Sequence, residues 1–283
     1  MRRYIISISL EKQQYFGKQF EVVDAESTLT TSSNNTNDES GLYKSTATNT
    51  GKPTYYFRGN VENNYVSFAG FTWRIVRINE DGTIRIVMQD GINNNTEYAF
   101  HAFDSNYNNY PYMYYSNSSN VKTTLESWYQ TNVESKSDLS KNVVVGSYYC
   151  EQAKVKVDSA TSGSATMTTY NKYTPDFKCS SDGNSKGVVN ASIGLLTYDE
   201  VVYAGGYIQN NSNYYLYNNK DFWTMSPAGF WANSPIVWWV GAQGNLMSKY
   251  ASNTYVVRPV LILNADTQIS SGNGTKDNPF VVE

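Results

Sequence analysis

Phe71-Thr72-Trp73-Arg74-Ile75-Val76-Arg77-Ile78, then Asn79-Glu80-Asp81-Gly82, then Thr83-Ile84-Arg85-Ile86-Val87-Met88, is the stretch on which the reading of the fold turns. Both arms alternate in character and are rich in β-branched residues, which suit a pleated, half-buried surface. The Asp-Gly pair between them supplies the positive φ that a tight turn needs. Residues 71 to 88 are therefore predicted to form an antiparallel hairpin. The same texture of short β-like runs punctuated by Gly, Asn and Asp extends from Tyr55 to the end of the chain, at residues 222 to 225, 236 to 240 and 256 to 263 among others. Two helices interrupt it. Residues 121 to 132 place Val121, Leu125, Trp128 and Tyr129 on one face, and residues 198 to 204 are opened by Thr197 with Glu200 three positions on, a capping box, and stopped by Gly205-Gly206. Two short helices among many short strands define an α+β class dominated by β.

Working back towards the N-terminus, residues 24 to 53 are rich in Ser, Thr and Asn and read as a linker or stalk. The N-terminal segment and polar linker are placed at residues 1 to 41, and one domain at 42 to 283. Arg2-Arg3 precede an apolar stretch, residues 4 to 10, that is too short for an intact secretory signal.

The 283 residues include 25 Tyr and 6 Trp, and aromatics make up 15% against 17% charged. Tyr, Trp, Asn, Ser and Gly together offer rigid contact area with adaptable hydrogen bonding, the chemistry of antibody paratopes. They also suit strands. A net charge of −3 leaves no electrostatic footprint for nucleic acid. The longest apolar runs, 236 to 240 and 260 to 263, fall far short of the roughly 18 residues of a membrane span.

Catalytic and cofactor patterns are sparse. His101 is the one histidine, so neither a two-His metal site nor an independent Ser-His-Asp set is available without it, and no Gly-x-Ser-x-Gly elbow occurs. There is no P-loop and no Gly-x-Gly-x-x-Gly after a strand. Asp81, Asp90 and Asp104 have intervals that match no EF-hand loop and are accounted for by turns. No enzyme activity, no metal and no cofactor is expected. Cys150 and Cys179 flank a polar loop and are compatible either with a disulfide or with two free thiols.

Several blocks in fixed order carry a resemblance. Residues 55 to 66 (Tyr55-Tyr56-Phe57-Arg58-Gly59-Asn60 onward), 68 to 78 and 81 to 85 are followed by Ile193-Gly194-Leu195-Leu196-Thr197-Tyr198-Asp199-Glu200-Val201 with Ala204-Gly205-Gly206. Next come Tyr214-Tyr215-Leu216-Tyr217, Phe222-Trp223-Thr224-Met225-Ser226-Pro227, Val257-Arg258-Pro259-Val260, and Gly274-Thr275 with Asn278-Pro279-Phe280-Val281-Val282. Over residues 42 to 283 the chain resembles exported proteins of gut Firmicutes and their prophages. These have the C-type-lectin-like fold in its formylglycine-generating-enzyme branch, and are similar to the variable proteins of diversity-generating retroelements. The resemblance implies an extracytoplasmic location, on a cell surface or virion, and favours the disulfide, with Cα atoms about 4.4 to 6.8 Å apart. The chain departs from the pattern in having no Cys after Cys179, so copper oxidase chemistry does not carry over. It also lacks the Glu-Pro-Asn, Gln-Pro-Asp and Trp-Asn-Asp triplets of calcium-dependent sugar binding.

On that scaffold the variable, ligand-binding segment corresponds to residues 228 to 256. Within it Val237, Val240, Gly244 and Leu246 suit the scaffold. The expected contact set is Phe230, Trp231, Asn233, Ser234, Trp239, Gln243, Asn245, Met247, Ser248, Lys249, Tyr250, Ser252, Asn253, Thr254 and Tyr255. One of Trp238 and Trp239 is expected in the core, because adjacent strand residues face opposite ways. The function this implies is a receptor or adhesin, diversified by a retroelement, that binds a protein or glycan on another cell or host surface. The alternative is a structural surface or pilus-associated subunit.

Overall fold

A computed structural model describes residues 4–5, 21–23, 40–101, 114–116, 120–151, 155–161, 164–169, 175–179, 187–231 and 234–282. The larger sheet takes β1 (Tyr4–Ile5), β2 (Glu21–Val23), β3 (Gly41–Ser45), β4 (Thr54–Arg58), β5 (Tyr65–Phe68), β6 (Phe71–Ile78) and β7 (Ile84–Met88). It is completed from the C-terminal end by β17 (Val260–Leu263), β18 (Ile269–Ser271) and β19 (Phe280–Val282). The predicted hairpin is β6–β7, with Ile75 opposite Ile86 and Ile78 opposite Ile84. Its turn closes through Gly82 N–H to Asn79 O (2.9 Å) with Gly82 at φ +84°, while Asp81 accepts from the Thr83 amide. β17 adds to β7, and β19 runs parallel to β5, so both ends of the domain share one sheet.

A second sheet has the order β15-β14-β13-β16-β8, made of β8 (Glu97–Ala99), β13 (Phe222–Trp231), β14 (Ser234–Val240), β15 (Leu246–Tyr250) and β16 (Thr254–Val256). Two small pairs, β9 (Gly146–Cys150) with β12 (Val188–Ala191) and β10 (Val155–Thr161) with β11 (Ser164–Thr169), complete the described strands. One buried cluster, running from Trp73, Ile75 and Ile86 through Leu195, Trp223 and Met225 to Val260 and Ile262, joins the sheets.

Four short helical segments are present among the described residues rather than two. They are α1 (Ile92–Asn95), a single turn whose Asn93 and Asn94 are left-handed, α2 (Asn120–Tyr129), α3 (Ser137–Ser140) and α4 (Tyr198–Ala204). α4 has the expected bounds. Thr197 accepts from the Glu200 amide, Glu200 reciprocates to the Thr197 amide, and Gly205 leaves the helix at φ +117°. α2 ends earlier than the predicted 132 and widens into a π turn over Gln130–Glu134. There Thr131 Oγ1 and Asn132 Nδ2 donate to the carbonyls of Ser127 and Trp128, the local competition that distorts a helix end. The linker expectation needs correcting at its C-terminal end. Gly41–Ser45 is a strand paired with β4, and Leu42, Tyr43 and Thr48 are buried. Residues 24 to 39 lie outside the described residues. The protein is thus β-dominated α+β, and no helix among the described residues is long and apolar enough to cross a membrane.

Candidate functional site

Strand β14 decides which side chains of residues 228 to 256 reach solvent. It lies between β13 and β15, so both of its edges are paired, and whether a side chain is buried depends on what covers each face. Trp239 pairs with Trp223 on one side and with Met247 on the other, and its ring stacks on Tyr255 at 4.4 Å and 7°. Trp238, pointing the opposite way, packs on Tyr198 of α4 at 4.5 Å. Both tryptophans are buried, at 8% and 5% exposure, so the expectation that only one enters the core is corrected. The sheet has a filled layer on each face, and alternation then no longer separates core from surface.

The same reasoning removes three residues from the contact set. Phe230 is 4% exposed, Trp239 is 5% and Asn245 is 9%. Phe230 pairs with Pro235 on the β13–β14 ladder. Asn245 closes the turn between β14 and β15, accepting from the Gly241 amide at 2.8 Å, with Gly244 at φ +78° pressed against the Asn211 carbonyl. Val237, Val240, Gly244 and Leu246 are buried. Asn233 lies outside the described residues.

What remains forms a rim. β15 is the last strand of its sheet, and Met247, Ser248, Lys249 and Tyr250 are all exposed along it. Tyr250 pairs with Ile236, and Trp231 pairs with Ser234, two positions along the same face of β14. Trp231, at 70% exposure, is thus carried at the tip of the β13–β14 hairpin on the side that bears Tyr250. Gln243, Asn253 and Thr254 are exposed on adjoining turns and on β16, while Ser234, Ser252 and Tyr255 are half-buried. Burial, with the Asp221 and Glu97 carboxylates nearby, pushes the Tyr255 phenol up to about 12, so it stays a neutral donor.

Tyr98 of β8 was not anticipated. It pairs directly with Tyr255 and accepts a hydrogen bond from Asn93 Nδ2 at 2.7 Å. A three-residue strand carries too little alternation to reveal it. The rim presents aromatic rings, a thioether, hydroxyls and one ammonium, which suit non-covalent recognition. His101 donates its backbone N–H to Ala251 O (2.9 Å), and no group of three or more His, Cys, Asp or Glu suited to a metal occurs among the described residues. Cys150 and Cys179 are joined as a disulfide with Cα atoms 5.4 Å apart. Comparison of the chain with protein-family models, with curated proteins and with solved structures found no match.

Proposed function

We propose that the chain is a ligand-binding receptor or adhesin of the C-type-lectin-like fold, in its formylglycine-generating-enzyme branch, displayed outside the cytoplasm. Its recognition surface is the rim formed by β15 and the β13–β14 tip, and a retroelement diversifies it. The observation that carries this reading is the contrast within one segment. Trp231, Met247 and Tyr250 are exposed, whereas Phe230, Trp238 and Trp239 beside them are buried. Met247 lies on the Trp239 side of the edge strand β15 and Tyr250, with Trp231, on the Ile236 side, so exposed side chains border the buried layer on both faces of the rim, where they vary without cost to the fold. The disulfide supports an oxidising compartment. The ligand is a protein or glycan on another cell or host surface.

The test replaces Trp231, Met247 and Tyr250 together by Ser and measures binding of labelled protein to a panel of bacterial and epithelial cell surfaces. Binding is expected to disappear while each substitution shifts stability by no more than about 0.5 kcal/mol. Retained binding, or a variant that unfolds, overturns the assignment. Phe230→Ser is the contrasting control and is expected to destabilise by roughly 3 to 5 kcal/mol. At the DNA level, the diversified reading requires a neighbouring reverse transcriptase gene and an imperfect repeat of this segment differing at adenines. Beyond Leu246, whose N–H is taken by Tyr207 O, no strand pairs with the outer side of β15 among the described residues, which favours one second reading, a structural surface or pilus-associated subunit that adds a neighbour's strand there. Concentration-dependent self-assembly in sedimentation would select it.

A further inference from the structure

Outside residues 228 to 256 the sequence Asp90-Gly91-Ile92-Asn93-Asn94-Asn95 does something unusual. Asn93, Asn94 and Asn95 have φ of 49, 57 and 62°, three successive residues in the left-handed region. L-residues visit this region singly, because Cβ crowds the following carbonyl, and sparsely populated backbone states persist only where the surroundings hold them. Here the hold is visible. Asn95 Oδ1 accepts from the Gly91 amide at 2.7 Å, and Thr96 Oγ1 donates back to Asn93 O at 2.6 Å. Gly91 itself sits so close to β16 that a Cβ would lie 2.2 Å from Val256 Cγ1.

The turn forms one wall of an open cleft of about 400 Å³, whose other sides come from the start of β6, the end of β7 and the C-terminal turn of α2. That volume lies in the range of small-ligand sites, roughly 300 to 1,000 Å³. The floor is aromatic. Phe71 is half-buried and packs on Trp128 with ring centroids 5.0 Å apart. The walls are carboxamides with capacity to spare. Asn94 is exposed and makes no hydrogen bond among the described residues, and Asn132 spends its Nδ2 on Trp128 O, leaving its Oδ1. Asp90 adds a carboxylate, and among the described residues no Lys, Arg or His lines the cleft, the nearby Lys136 ammonium being spent on Ala69 O (2.9 Å).

From this combination we infer that the cleft is a binding site for a neutral saccharide of one or two hexose rings. A pyranose has an apolar C–H face that lies on an aromatic ring, and equatorial hydroxyls that both donate and accept. Asn side chains match them with one donor and one acceptor each, and a carboxylate takes two hydroxyl protons. The missing cation disfavours phosphorylated, sulfated and uronic ligands, which the Asp90 carboxylate repels. Binding needs no ion, because direct hydrogen bonds to Asn and Asp suffice. The cleft shares no residue with the rim and stands independently of the function proposed for it.

The experiment titrates the full chain with glucose, galactose, mannose and N-acetylglucosamine, with glucuronate as the charged comparison, followed by saturation-transfer difference NMR and tryptophan fluorescence. At least one neutral sugar is expected to bind saturably in the presence of EDTA, with glucuronate weaker. Asn94→Gly keeps the left-handed backbone while removing the carboxamide. It is expected to weaken that binding about five- to tenfold with an unchanged melting temperature. The triple rim variant is expected to bind the sugar as the parent does. Absence of saturable binding by all four sugars, equal affinity in Asn94→Gly, or preference for glucuronate overturns the inference.

Discussion

Arg58, Arg74, Arg85 and Arg258 lie in the interior at 4% exposure or less, and backbone carbonyls accept from Arg58, Arg74 and Arg258. Arg58 gives Nη1 to Val202 O and Tyr203 O at the C-terminal end of α4, where carbonyls lack helical partners. Arg74 reaches Val61 O and Asn64 Oδ1, and Arg258 reaches Met88 O and Leu216 O. Arg85 differs. With Arg77 it shares Glu200 Oε1, a buried ion pair of two cations on one carboxylate. Burial alone would raise the Glu200 carboxyl, but Arg85, Arg77 and the Thr197 amide outweigh it and hold the group below its ordinary range. Because the folded carboxyl gives up its proton more readily than the unfolded one, its contribution is present above the ordinary carboxylate range and is lost as pH falls through the folded value. Glu200→Gln leaves two buried guanidiniums uncompensated and is expected to cost about 3 to 5 kcal/mol in urea denaturation at pH 7. It should also flatten the decline of stability below about pH 4.5, the ordinary value for the group. A loss under about 1 kcal/mol would show that carbonyls or water replace the carboxylate. None of this was legible in the sequence, where Glu200 lies more than a hundred positions from both Arg77 and Arg85. Phe230 and Trp239 escaped for another reason: alternation identifies an outward residue only where one face of the strand is open.

The β6–β7 hairpin and α4 were readable because each is specified by near neighbours, the first by alternation and Asp-Gly, the second by Thr197, Glu200 and Gly205. β13 was not. Nine of its ten residues are buried, since β14 and β16 flank it and layers cover both faces, so its sequence shows no period. β3 was lost in a polar background for the converse reason, that Leu42 and Tyr43 alone give it a buried side. The same region explains what the disulfide does. Phe177 N–H bonds Ala47 O (2.8 Å) and Cys179 N–H bonds Asn49 Oδ1 (2.9 Å), so the Cys150–Cys179 link fastens the chain after β3 to the end of β9. The sequence separation is 29, and closing a loop of that length contributes on the order of 3 to 4 kcal/mol in the chain-entropy account. Replacing both cysteines by Ser should lower the free energy of unfolding by that amount, with far-UV circular dichroism unchanged before the transition. A change under about 1 kcal/mol would mean that the contacts around Phe177 already restrict the unfolded chain.

Across the whole molecule, the aromatic residues that suggested a recognition surface mostly build the interior. Five of the six tryptophans are buried, Trp231 being the exception. Tyr43, Tyr56, Phe177 and Tyr203 form a small separate cluster with Phe177 and Tyr203 stacked at 4.1 Å, and Tyr115, Tyr149, Tyr214 and Tyr215 sit in the main core. Burial raises the phenols of Tyr115, Tyr149, Tyr214 and Tyr215, and lifts Tyr203 to about 12. An acid whose folded pKa lies above its unfolded one has the linkage sign opposite to Glu200. Above about pH 10 the unfolded chain sheds these protons first, so each such phenol tilts stability downward by about 1.4 kcal/mol per pH unit. Buried guanidiniums act the other way. Burial lowers Arg74 and Arg77 and draws Arg258 down to about 10, so each offsets at most one phenol over the range in which it titrates. Five phenols against three guanidiniums leave at least two uncompensated, a slope of roughly 3 kcal/mol per pH unit or steeper. Set against a typical stability of about 5 to 15 kcal/mol, that slope predicts cooperative alkaline unfolding within a few pH units above 10. Absorbance at 295 nm should therefore rise in two steps, exposed tyrosines ionising near pH 10 and the buried group only together with the loss of circular dichroism. A single ionisation step near pH 10 with the circular dichroism intact would mean that these five rings are open to solvent and that the core is not aromatic in the way described.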